Sequence, residues 1–227
     1  MKHIKEFDRF ASAYQRQKII QTKVAKYLVE NSPFQGRYIL DLGAGSGEVY
    51  SAITWDFEKF YALDLSAKML SFHPTTKVEK IYCSFDSNLC WQKLQKRKID
   101  QVFASSSLQW SKDLDAVFMH LQNFSHVSAA LFTNNTFRSI HEKLDIKSPI
   151  RPAKEVLDIA KKYFMVNYEI REYKLFFPDI KSAFSYIKKS GVSSGEKRAS
   201  VASLRQFMRT FNKNYLEFEV IFLWCEK

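Results

Sequence analysis

The first cluster of candidate functional residues is Asp41-Leu42-Gly43-Ala44-Gly45-Ser46-Gly47, which follows the apolar run Tyr38-Ile39-Leu40. This reads as a short buried strand passing straight into a glycine-rich turn. Glycines at alternate positions let the backbone turn sharply and come close to a ligand, which a Cβ at any of them would obstruct. A helix starting after the turn aims free N–H groups at the same place, so a nucleotide-like ligand is expected there. A dinucleotide-binding turn would carry its third glycine three residues after the second, and that position is Glu48. The pattern is D-x-G-x-G-x-G instead. A second apolar run, Phe60-Tyr61-Ala62-Leu63, ends in Asp64. A carboxylate suits a vicinal diol because it accepts both O–H groups at once, and it repels a 2′-phosphate. Asp64 can also cap the helix that starts near Ser66.

The glycine spacing with an acid at the strand end resembles motif I of the class I methyltransferases that use S-adenosylmethionine. Phe60 to Ser66 supports the resemblance, with Asp64 and Leu65 placed to meet the ribose. The implied cofactor is S-adenosyl-L-methionine, held by Asp41, Gly43, Ala44, Gly45, Asp64 and Leu65. Asp86, just past a third strand, is positioned to reach the adenine amino group, and Ser105, which ends a fourth strand, is a further cofactor-binding candidate.

These residues need elements to carry them. Phe7, Phe10, Ala11 and Tyr14, then Ile20, Val24, Tyr27 and Leu28, follow a helical period, so one or two N-terminal helices are expected before Ser32-Pro33 and Gly36. Strand, glycine turn, helix, strand and acid come next. A short third strand is expected over 80–84, a polar helix over 87–97, a fourth strand over 99–105, a helix over 111–124 and a fifth strand over 129–133. Ligand chemistry in open parallel sheets collects at the carboxyl edge, so the loop 105–110 should face the reacting group. Helices over 136–144 and 152–163, a strand over 168–176, a helix after Pro178, an amphipathic helix through Leu204, Phe207, Met208 and Phe211, and a final strand over 215–224 complete the chain. The expected class is α/β: a Rossmann-like, mostly parallel seven-stranded sheet with an antiparallel last strand. It forms a single domain over 1–227, with an N-terminal helical lid (1–30), a cofactor-binding core (36–133) and substrate-side helices with the final strands (134–227).

Composition bounds the function. With 46% hydrophobic and 15% aromatic residues there is material for one sizeable core. Cys83, Cys90 and Cys225 form neither C-x-x-C nor a metal-ligand spacing, so no metal and no disulfide framework is expected. The chain has neither a run of about 18 apolar residues nor a signal-peptide pattern, which points to a cytoplasmic protein with no membrane partner. The net charge of +11 favours an anionic partner, yet the lysines are spread along the chain without a basic-aromatic block. Amino-methylating nucleic-acid enzymes commonly carry Asn/Asp-Pro-Pro-Tyr/Phe after the fourth strand. Here the sequence is Ser105-Ser106-Ser107-Leu108, so no nucleic-acid partner is expected.

Beyond the cofactor half, the chain resembles the malonyl-acyl-carrier-protein O-methyltransferases of biotin synthesis, the BioC family. Phe7 to Tyr14 match an N-terminal F-x-x-x-A-x-x-Y helix, and Ala62 to Ser66 with Met69-Leu70 match the second-strand motif. Ser107-Leu108-Gln109-Trp110 with Asp113-Leu114 match the loop after strand four. Phe132-Thr133 and Ser139 match the segment after strand five, and Leu175-Phe176-Phe177 through Lys188 and Gly191 match a C-terminal segment that generic methyltransferases lack. Departures are Ala44 for cysteine, Ser105 for asparagine, Val127-Ser128-Ala129 for Pro-Gly-Gly, and Lys188-Lys189-Ser190-Gly191 for K-G-I-G.

The resemblance implies methyl transfer to the free carboxyl of malonyl-acyl-carrier protein or malonyl-CoA. A carboxylic acid is already ionised at neutral pH, so this chemistry asks for no base. It asks for alignment and exclusion of water. Tyr14, on a closing lid, and Trp110, walling the reacting edge, are the catalytic candidates, each also able to serve only in packing. Lys181, Lys188 and Lys189 are candidates for the substrate or its carrier, against the plainer reading of solvated lysines. His141 is the histidine nearest the expected site, and a lone histidine there is more often structural than a base. The competing functions are a class I methyltransferase acting on another small molecule or on nucleic acid, and a partner subunit that kept the fold and lost the activity. Intact Asp41, Gly43, Gly45 and Asp64 speak against the last.

Overall fold

The structure, a computed structural model, describes residues 18–189, 211 and 213–227, with only the backbone of Lys188 and Lys189. Tyr14, the helix expected through Leu204 and Phe207, and Gly191 lie outside the described residues.

Seven strands form one sheet in the order β3-β2-β1-β4-β5-β7-β6. They are β1 (Tyr38–Leu42), β2 (Lys59–Asp64), β3 (Val78–Tyr82), β4 (Gln101–Ser105), β5 (His126–Phe132), β6 (Met165–Phe176) and β7 (Tyr215–Glu226). The pairs among β1 to β5 are parallel, and β7 runs antiparallel to both β5 and β6. The strand order reverses between β1 and β4, and an open α/β sheet offers its ligand crevice at that point. The expected α/β class, with its antiparallel last strand, is the one observed.

Both faces of the central strands are covered, which is why β1 and β2 read as nearly unbroken apolar runs rather than alternating ones. On one face, α1 (Ile19–Glu30) buries Ile20, Val24, Ala25 and Leu28 beside Ile39, Phe60 and Phe103. On the other, α4 (Asn88–Leu94), α5 (Leu114–Leu121) and α7 (Ala153–Ala160) bury Trp91, Phe118 and Val156 beside Leu40, Leu63 and Leu131. The short helices α2 (Glu48–Ala52) and α3 (Ala67–Leu70) follow β1 and β2, and α6 (Arg138–Leu144) follows β5. In α8 (Ile180–Lys189), Ala183 and Tyr186 are buried on the α1 face, while Asp179 caps the helix by accepting the Ser182 N–H at 2.7 Å. Ile180, Phe184 and Ile187 pack against the same cluster.

At the amino edge of the sheet, Asp100 accepts N–H groups of Arg37 at 3.2 Å and Tyr38 at 3.0 Å, tying the entry of β1 to that of β4. The fifth strand is expected over 129–133, with Val127-Ser128-Ala129 standing where the resembled family has Pro-Gly-Gly. All three residues pair in β5, Val127 opposite Val102 and Ala129 opposite Ala104. Without the proline and glycines that interrupt a ladder, the strand simply starts earlier.

Candidate functional site

The glycine turn leaves β1 at the carboxyl edge of the sheet and is stitched to β2. Gly43 N–H and Ala44 N–H both donate to Leu63 O at 2.8 Å. Gly43, Gly45 and Gly47 have φ of +76°, +49° and +96°, in the left-handed region that a side chain disfavours. The three glycines do different work. A Cβ on Gly43 would lie 2.3 Å from the Ser107 Cβ, so this glycine accommodates the loop after β4 rather than a ligand. Ser107 in turn donates from its hydroxyl to Leu42 O at 2.5 Å. A Cβ on Gly47 would meet the His73 ring at 3.4 Å. A Cβ on Gly45 would make ordinary contacts with Glu48 Oε2 at 3.4 Å and Gly43 O at 4.0 Å, so the positive φ rather than crowding calls for glycine there.

Asp64, at the end of β2, reaches the turn. Its Oδ2 accepts the Gly45 N–H at 2.9 Å and its Oδ1 accepts the Ser66 N–H at 2.8 Å. Ser66 is the N-cap of α3, accepting the Met69 N–H at 3.1 Å, so Asp64 supports the helix start and the turn together. Leu65 is half-buried beside it and Ala44 is buried.

Asp41 is 1% exposed, and neither of its carboxylate oxygens has a hydrogen-bond partner. Burial, with the neighbouring Glu48 and Asp64, pushes its carboxyl well above the usual carboxylate range. Lys18, just before α1, ion-pairs with Glu48 at 2.5 Å and lies 3.2 Å from the Ser46 hydroxyl, so the start of α1 is anchored on the far side of the turn.

Ser105 and Ser106 carry buried hydroxyls without a partner at the end of β4, and Ser106 takes a left-handed φ of +56°. The 3-10 helix Leu108–Trp110 follows. Trp110 lines a cavity of about 390 Å³ with Gln109, Ser111, Ile150 and Arg151. Asp86 is exposed beyond β3 and its Oδ1 accepts the Lys112 N–H at 3.2 Å, which ties the loops after β3 and β4 together.

The structure therefore gathers Asp41, Gly43, Ala44, Gly45 and Asp64 around one turn, with Ser105 on the adjacent strand. It keeps Lys181 apart, exposed on α8. His141, on α6, is half-buried, and burial lowers its pKa while Glu217 opposes the shift. Among the described residues no group of three or more His, Cys, Asp or Glu side chains could hold a metal ion, and no helix is long and apolar enough to cross a membrane.

Sequence reasoning missed Ser107, Lys18, Glu48 and His73. His73 had a signal available, because it follows Met69 and Leu70 at the i+4 and i+3 positions of their buried helical stripe.

Residues 40–124 match a family model described as a methyltransferase domain. The biotin biosynthesis bifunctional protein BioHC of Saccharophagus degradans is 28% identical over 116 residues, which is 50% of this chain and 21% of that protein. The chain thus matches about a fifth of the length of that curated relative. A chain in the complex of the Haloferax volcanii Trm112 methyltransferase activator with a methyltransferase superposes with TM-score 0.62 at 15% identity, covering 97% of this chain and 96% of that one. Geranyl diphosphate methyltransferase in complex with S-adenosylmethionine superposes with TM-score 0.53 at 13% identity, covering 91% and 81%. The fold is that of the class I methyltransferases. The site fits S-adenosylmethionine, present in the second of these structures, on one local ground: Asp41 offers a buried carboxyl whose oxygens have no hydrogen-bond partner. The segment matched by the methyltransferase-domain model contains this turn together with Asp41 and Asp64.

Proposed function

We propose that this class I, S-adenosylmethionine-dependent methyltransferase takes as its acceptor the free carboxylate of a malonyl thioester, carried on acyl-carrier protein or coenzyme A, and releases the methyl ester, an early step of biotin synthesis. The observation that carries the reading is the 116-residue similarity to a biotin biosynthesis protein. The stretch from Leu175 to Lys188, which resembles the BioC family, agrees with it.

The cofactor, when bound, supplies a methyl group activated by a sulfonium. The chain's own residues bind and orient. Asp64 and the Gly45 N–H would hold the ribose side, Asp41 would meet a donor group of the ligand, and Asp86 would lie toward the adenine. The Ser105 and Ser106 hydroxyls would offer neutral hydrogen bonds on the acceptor side. Trp110 would wall that side from water, and Tyr14 would close it from the N-terminal segment. Fixed alignment and a stripped carboxylate matter most in the transition state. The acceptor arrives ionised, so no residue has to remove a proton.

The test is incubation of the purified full chain with labelled methyl donor and malonyl-acyl-carrier protein, with malonyl-CoA in parallel, followed by mass spectrometry. One methyl added to the malonyl group, removable by esterase, is the expected result. A protein that methylates neither, while transferring methyl to another small molecule or to nucleic acid, would overturn the acceptor assignment and leave the cofactor assignment standing.

A further inference from the structure

His73 lies directly after α3 and is 3% exposed, and no property of the cofactor site requires a histidine there. Its ring is boxed by Phe60, stacked at 6.2 Å with an interplanar angle of 27°, and by Tyr50, edge-on at 6.3 Å. The ring also lies against Gly47, where a Cβ would touch it at an ordinary contact distance of 3.4 Å. From this box Nε2 lies 3.1 Å from Gly45 O. A carbonyl can only accept, so Nε2 carries the hydrogen, and Nδ1, buried without a partner, is left deprotonated. The ring is thus a neutral imidazole of fixed tautomer, braced against the back of the turn.

We propose that His73 is a positioning residue for the cofactor-binding turn, acting through Gly45. Gly45 is held at both of its polar groups: its N–H by Asp64 at 2.9 Å, its carbonyl by His73. Its φ of +49° lies in the left-handed region, where the missing Cβ leaves the backbone little steric restraint of its own. Losing the imidazole N–H frees the Gly45–Ser46 peptide to rotate about the glycine, and the preceding peptide, whose N–H Asp64 accepts, is then held from one side only. The front of the turn then has to be ordered again each time the cofactor binds, which weakens binding without changing the methyl-transfer step. The proposal rests on the turn being the cofactor site.

The experiment compares wild type, His73→Phe, which keeps a ring and loses the donor, and His73→Gln, which restores an N–H at similar reach. Calorimetry with S-adenosylhomocysteine gives affinity, and thermal unfolding without ligand gives stability. One lost hydrogen bond predicts roughly tenfold weaker binding by His73→Phe, with His73→Gln recovering most of it, and KM for the methyl donor rising while kcat holds. Affinity unchanged in a folded His73→Phe protein, or lost equally in both variants in step with their melting temperatures, would overturn the positioning role. A wild type that binds no S-adenosylhomocysteine would overturn this role together with the cofactor site. Should His73→Phe fail to fold, nitrogen-15 spectra of the wild-type imidazole decide the matter. A protonated Nε2 with and without ligand is expected, and the opposite tautomer would sink the proposal.

Discussion

Asp64 accepts the Gly45 N–H at 2.9 Å across the gap between two parallel strands, so the acid at the end of β2 and the turn after β1 form one hydrogen-bonded unit. The same carboxylate accepts the Ser66 N–H at 2.8 Å. Asp64→Ala therefore removes support for the turn as well as the proposed partner of the ribose diol. Charge-assisted hydrogen bonds contribute about 1.5–3 kcal/mol, so S-adenosylmethionine affinity should fall roughly ten- to hundredfold, with a lower melting temperature because two backbone donors lose their acceptor. Asp64→Asn, which keeps one acceptor oxygen, should lie between. Calorimetric affinity identical to wild type in a folded Asp64→Ala protein would remove Asp64 from the site.

Asp41 should trade stability for binding. Its folded pKa is raised by burial beside Glu48 and Asp64, so over the window from the ordinary carboxylate value up to the raised one the folded protein binds more protons than the unfolded chain. Stability from the protonated form is fully present below that window and is lost as pH rises through the folded pKa. Asp41→Asn has no such loss. Without ligand, the variant should melt above wild type at neutral pH, the margin should shrink toward acid pH, and affinity for S-adenosylmethionine should drop. A melting difference that does not depend on pH would mean that Asp41 finds a partner in solution.

Gly43 offers a test of the core of the turn that needs no ligand. A Cβ there falls 2.3 Å from Ser107 Cβ, and the residue's φ is +76°. The left-handed conformation alone costs a side chain about 1–2 kcal/mol, and the clash adds to it. Gly43→Ala should therefore lower the melting temperature clearly more than Gly45→Ala, where the nearest atom is the end of a Glu48 side chain at 3.4 Å. Thermal unfolding of the two single variants checks the order, and equal losses would mean that Ser107 moves aside at little cost.

Much of this was legible before any coordinates. Tyr38 to Gly47 and Phe60 to Ser66 combine apolar runs with turn residues and a terminal acid, and a buried parallel strand leaves that mark because both of its faces are covered. What escaped the sequence was contact between segments. Gly43 reads as room for a ligand, yet the room is filled by Ser107, brought there because β4 pairs with β1. His73 reads as one more residue of a short helix, and its role depends on a turn that precedes it by a whole strand. The fifth strand, expected from residue 129, starts at His126, because neither Val127 nor Ser128 breaks a ladder.

The lysines of α8 can be assigned by charge reversal. Lys181 is exposed on that helix, and Lys188 and Lys189 close it. If the three form a docking face for an acidic carrier protein, changing them together to Glu should raise KM for malonyl-acyl-carrier protein, steeply at low salt and less at high salt, and leave KM for malonyl-CoA much less affected. Equal rises on both substrates would place at least one of these side chains at the malonyl pocket. No change on either would return all three to ordinary solvated lysines.

A base-free mechanism makes its sharpest demand on His141. The imidazole sits half-buried on α6 near Glu217, whose carboxylate accepts the Ser139 hydroxyl and pairs with Lys213 at 3.1 Å. A histidine beside a carboxylate resembles a base with its orienting partner, and the burial that lowers its pKa keeps it neutral and able to take a proton at neutral pH. An ionised carboxyl acceptor has no proton to give, so His141→Ala should keep kcat within about threefold, a change of under 1 kcal/mol in barrier. Tyr14→Phe separates the second aromatic question in the same assay: a large loss would mean that the hydroxyl positions the acceptor, and a near-normal rate would leave the ring to packing alone. Collapse of activity in a folded His141→Ala protein would contradict carboxyl methylation and point instead to a hydroxyl or amine acceptor, whose proton must be taken away.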